Sequence, residues 1–86
     1  MNDKLGIFHG SNPSTAAGTI GGGGSYLDDD GRPVVILGIA ENADPVGRDV
    51  ELHEGETFEL GAELWEVTKI DGAGTDVWGA DLTRLR

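Results

Sequence analysis

Two histidines, His9 and His53, and sixteen Asp and Glu side chains are the groups with the widest chemical range in this 86-residue chain. Imidazole and carboxylate together hold metals or move protons. Ligands on one element recur at short spacings such as i, i+2 or i, i+4, and no such spacing links His9 to His53. A small metal-dependent hydrolase built on that pair is therefore the third functional reading, and no metal or other cofactor is expected. Nucleophilic catalysis needs a hydroxyl beside a base and an orienting acid. Ser11, Ser14 and Ser25 carry no surrounding motif of that kind, so no catalytic residue and no enzyme are expected.

Two local motifs point to ligands and then fail on context. "GTIGGGGS", Gly18 to Ser25, has the glycines of a phosphate loop but neither its lysine nor a helical pattern after it. "DDDG", Asp28 to Gly31, offers oxygen ligands for a hard cation, yet the spacing of a calcium loop and its flanking helices are missing. Its Asp-Gly pair reads as a hairpin turn instead.

Carboxylates dominate what is left. Sixteen acids against six bases give a formal charge of −10. That balance opposes nucleic acid and anionic lipid, which require positive charge, and favours a basic protein partner. The row Glu51, Glu54, Glu56, Glu59, Glu63, Glu66 is the main surface feature. Glu51, Glu54, Glu59 and Glu66 are the expected partner-binding residues, on one acidic sheet face that includes Glu51, Glu59 and Glu66. The first functional reading is a non-catalytic interaction module of the inhibitor, immunity or accessory type. The second is a self-assembling subunit, for example a homodimer, paired through the apolar "VVILGIA" strand, Val34 to Ala40, or through a Gly-rich edge.

The elements that must position these residues are strands. The length suits one domain, and the expected fold is all-β: a small antiparallel barrel or compact sandwich of five to seven short strands. The single helical candidate is one turn or so in "SNPSTAAG", where Asn12, Pro13 and Gly18 suit a cap, a first turn and a stop. The glycine tract looks like a flexible linker. Residues 1–18 are too few to be a domain, so the tract is expected to be a strand crossed by bulky neighbours, with the tryptophans and phenylalanines as candidates.

Three hairpins follow. A two-residue turn at Asp30-Gly31 sets Leu27 opposite Val34. A type II′ turn at Gly61-Ala62 sets Phe58 opposite Trp65 and puts Phe58, Leu60, Trp65 and Val67 on the core face. A four-residue loop from Asp71 to Gly74, or a bulge, keeps Trp78, Ala80 and Leu82 on that same face. A first short strand runs near Leu5 to His9, a further one from Asp49 to His53, and "ENADPVG", Glu41 to Gly47, is expected to be a surface loop. The start of the chain lacks a secretory pattern, no apolar run reaches bilayer length, and the absence of cysteine fits a cytoplasmic setting.

The segment "VELHEGETFELGAELWEVTKID", Val50 to Asp71, resembles the C-terminal half of small β-rich proteins of actinobacteria. Gly55, Glu56, Thr57, Phe58, Leu60, Gly61, Trp65 and Val67 carry the likeness. It implies a fold and no site, and the Gly-rich segment is not part of the pattern.

Overall fold

The computed structural model describes residues 3–86, apart from the side chains of residues 44 and 45. Met1 and Asn2, which belong to the stretch read for a secretory pattern, lie outside the described residues. Seven strands are described: β1 Lys4–Phe8, β2 Gly18–Leu27, β3 Pro33–Glu41, β4 Asp44–His53, β5 Thr57–Leu60, β6 Glu63–Asp71 and β7 Gly79–Arg84. They form a four-stranded sheet in the order β1-β7-β6-β5 and a three-stranded sheet in the order β2-β3-β4. Every pairing is antiparallel. Alternation along the strands turns Ile7, Ile20, Val35, Leu37, Ile39, Leu52, Leu60, Trp65, Val67 and Leu82 into one shared core between the sheets. This is a sandwich, not a closed barrel, and no described residue is helical. In the "SNPSTAAG" segment Ser14 instead bridges Thr19, and the chain turns through Ala16 and Ala17.

That segment explains the glycines. After a tight turn at Phe8 to Ser11, closed by Ser11 N–H donating to Phe8 C=O at 3.0 Å, the chain leaves the four-stranded sheet and runs along the free edge of β2. Gly10 N–H donates to Gly22 C=O at 3.2 Å, Gly22 N–H to Ser11 C=O at 2.8 Å, and Ile20 N–H to Pro13 C=O at 3.0 Å. A β-carbon on Gly22 would stand 2.2 Å from the Phe8 carbonyl oxygen, and one on Gly18 would stand 2.1 Å from that of Ala40. Backbone approach of this closeness admits only glycine. The tract is thus a strand, as expected, but the nearest atoms to its glycines belong to no aromatic ring. Backbone from Phe8 covers Gly22, and Ile36 covers Gly23 and Gly24.

The hairpins agree unevenly with expectation. Gly61 has φ +58°, and Phe58 pairs with Trp65 and Leu60 with Glu63 as the sequence requires. At the first hairpin Leu27 pairs with Pro33, not Val34. The Asp28 carboxylate accepts the N–H groups of Asp30 and Arg32, each at 2.9 Å, which makes the loop three residues, with Gly31 at φ +78°. The last hairpin keeps Trp78, Ala80 and Leu82 buried, but through a longer loop, residues 72–78, and a register shift between Val67 and Lys69. The stretch Glu41 to Gly47 is no loop: Glu41 pairs with Asp44 across a two-residue turn, and β4 runs on through it.

Candidate functional site

The acids do not make one face. Glu51 alternates with buried Leu52 on β4, so it projects outward from the three-stranded sheet. Glu59 and Glu66 alternate with buried Phe58, Leu60, Trp65 and Val67, so they project outward from the four-stranded sheet. The expected common face of Glu51, Glu59 and Glu66 is corrected accordingly: strand spacing sets parity within a sheet, while strand order assigns each strand to its sheet. Glu54 is already engaged, since its Oε2 accepts the N–H of Ile70 at 2.7 Å.

The most organised polar cluster lies on the outer face of the three-stranded sheet. Tyr26, Val34 and His53 stand in register across β2, β3 and β4. The Tyr26 hydroxyl donates to Glu51 Oε1. His53 Nε2 lies 2.7 Å from Asp28 Oδ2 and Nδ1 lies 3.2 Å from Glu56 Oε1. Protonated, the imidazolium donates to both carboxylates, and it ties the β2–β3 hairpin to the turn after β4.

These contacts shift the titrations. The hydrogen bond with Asp28 raises the His53 pKa, against a desolvation that lowers it. The bond from His53 lowers the Asp28 pKa, helped by the Arg32 N–H. The His53 backbone N–H lowers that of Glu56. The bond to Glu51 raises that of Tyr26, which adjacent negative charge reinforces. With both ring nitrogens held by carboxylates, His53 has none facing a hydroxyl nucleophile, unlike a Ser-His-Asp relay. Its geometry fixes charge and joins loops. His9 is exposed, just past β1, and no group of three or more potential metal ligands converges among the described residues.

Around this cluster Asp49 lies across Gly38, the carboxylate 3.5 Å from where a β-carbon would be. Ile36 is half-buried between Gly24 and Glu51. An aromatic and an isoleucine are thus bordered by Asp28, Asp49 and Glu51.

A second polar centre went unrecognised in the sequence. Glu63 has only 4% exposure. Its Oε1 accepts from the Thr15 hydroxyl at 2.8 Å and from the Trp65 indole N–H at 3.0 Å. Arg84 lies 3.6 Å from its Oε2 and 3.3 Å from Asp3. Parity with Trp65 does put Glu63 inward, a signal legible in the sequence. The partners come from residues 15 and 84, which only the fold brings near.

Fold and surface together define a small acidic β-sandwich with an aromatic-centred polar face. No helix among the described residues is long and apolar enough to cross a membrane. The chain belongs to the family of unknown function DUF6406, which matches residues 2–86 and so includes the glycine-rich third. No curated protein and no solved structure matches the chain.

Proposed function

We propose that the protein is a non-catalytic interaction module for a basic protein, acting as an inhibitor, immunity-type protein or accessory subunit. The observation that carries this is Tyr26, 38% exposed and hydrogen-bonded to Glu51, on a sheet face whose border is Asp28, Asp49 and Glu51. Tyrosine is a preferred interface anchor, and a border of one sign speeds encounter with the opposite sign. On this reading Glu51 contacts the partner, Glu59 and Glu66 add long-range attraction from the other sheet, and Glu54 serves the fold. The cysteine-free sequence and the likeness of Val50 to Asp71 to actinobacterial proteins support a bacterial cytoplasmic setting.

The test is affinity capture from source cells, followed by calorimetry with the purified captured protein. Wild type should bind a basic protein with affinity that falls with salt. The pair Asp49→Lys and Glu51→Lys should lose at least tenfold, and the pair Glu59→Lys and Glu66→Lys less. Equal loss from both pairs, or a partner bound without salt dependence, refutes the assignment.

A further inference from the structure

Resting on that reading, we propose that the free edge of β4 takes up an extended segment of the basic partner as an added strand. In an antiparallel pair a residue turns its N–H and C=O to the same side, and bonded and non-bonded pairs alternate. Asp28 N–H donates to Arg32 C=O at 3.0 Å, so the pair two residues on, Tyr26 with Val34, also exchanges bonds. Val34 therefore spends its backbone groups on β2. His53, opposite Val34 on β4, must point its own groups away from β3, and its N–H does so, donating to Glu56 Oε1 at 2.7 Å. The β3–β4 register is unshifted from Val34 to Ile39. The same step then turns the N–H and C=O of Glu51 and Asp49 outward.

β4 is the end strand of its sheet. The other sheet approaches its edge through a side chain: Arg48 donates to the Glu59 carbonyl at 2.6 Å. The backbone groups of Asp49 and Glu51 are thus a row of rungs open to a further strand. Such edges are either guarded or used.

The side chains beside those rungs specify the occupant. Asp49 and Glu51 project to the outer face, so an added strand meets two carboxylates at neighbouring cross-strand positions. Lysine or arginine opposite them is favourable, and Asp or Glu unfavourable. Antiparallel pairing of β4 with a second copy over these rungs brings carboxylates together, so the edge is guarded against self-pairing. On the inner side the added strand meets Val50, half-buried, and Leu52, buried. The matching segment alternates basic and apolar residues.

The probe is a capped hexapeptide of sequence KVKVKV, added to the full chain and followed by amide NMR and hydrogen exchange. A second peptide has the same sequence with the backbone nitrogens of its lysines methylated, which keeps the charge and removes the donors that would face β4. The Asp49 and Glu51 amides should gain protection with the first peptide, and the methylated peptide should bind at least tenfold more weakly. Equal binding of both peptides to the Tyr26 face, without amide protection, overturns strand addition and leaves the acidic-module reading standing. Binding of neither peptide overturns strand addition; loss of the module reading as well requires that the capture experiment also return no basic protein.

Discussion

Replacing Glu63 by alanine tests whether a buried carboxylate supports the sandwich. The substitution removes the acceptor of the Trp65 indole N–H, on a residue with 1% exposure, and of the Thr15 hydroxyl. A buried donor left unpaired costs about 1–3 kcal/mol. The indole cannot turn to water and takes about 2 kcal/mol of this, whereas half-buried Thr15 takes about 1. Arg84 keeps Asp3 at 3.3 Å and, being partly exposed, adds about 0.5 kcal/mol. The sum is about 3.5 kcal/mol, a large part of the about 4–13 kcal/mol expected for a chain of this length. Urea unfolding followed by tryptophan fluorescence reads it directly, since Trp65 and Trp78 are both buried. With a slope of about 1 kcal/mol per M, the midpoint should fall by about 3.5 M, or the variant should be unfolded without denaturant. Glu63→Gln keeps an oxygen for both donors and should lose about 1 kcal/mol. An alanine variant within 1 kcal/mol of wild type, or a glutamine variant as damaged as the alanine one, refutes the reasoning.

The His53 bridge gives a pH signature. Its raised pKa contributes stability that is full below about pH 6.5, the unfolded value, and is lost as pH rises through the folded one. The lowered pKa values of Asp28 and Glu56 contribute stability present above about pH 4 and lost as pH falls through the folded values. The melting-temperature gap between wild type and His53→Gln should therefore be widest between about pH 4 and 6.5 and close by pH 9; a gap that widens toward pH 9 contradicts the bridge. Gly22→Ala drives a β-carbon to 2.2 Å from the Phe8 carbonyl and should cost more than about 2 kcal/mol, while Gly6→Ala, with nothing within 4 Å, should be neutral or slightly stabilising by chemical denaturation. Amides from Thr19 to Gly22 should exchange slowly with solvent, as rungs shared with β3 and residues 10–15; fast exchange there would make the tract the linker it looks like.

What the sequence made legible was local. The hairpin at Gly61-Ala62 is fixed by a glycine able to take positive φ and by four apolar side chains at spacing two, so register and core face both follow. The hairpin at Asp30-Gly31 slips by one residue because the Asp28 carboxylate caps two backbone N–H groups, a choice between turn types that the Asp-Gly pair alone leaves open. The last hairpin preserves its buried face only because a bulge at Thr68 compensates for a longer loop. Parity of apolar residues sees faces, and it is blind to how far two strands slide. The acid row failed for a related reason: Glu51 and Glu59 are eight positions apart in sequence but sit on sheets that face opposite ways. The Asp28–His53 contact and the Thr15–Glu63 contact each join residues far apart in the chain, with no local pattern to announce them.

The seam between β1 and β7 has a mechanical consequence. Lys4 lies beside Thr83, and Arg84 N–H donates to Asp3 C=O at 2.8 Å, so residues 3 and 84 lie at the same end of the sheet, where Leu85 N–H still donates to Leu64 C=O at 2.7 Å. A load applied between residues 3 and 84 would fall on one rung at a time and peel β1 from β7, where strands loaded from opposite ends would share the force in shear. β1 leads directly into residues 10–15, which line the glycine edge of the other sheet. Traction on the N-terminal strand would pass next to that edge, and the sandwich would come apart in sequence, like a zipper whose slider crosses from one cloth to the other.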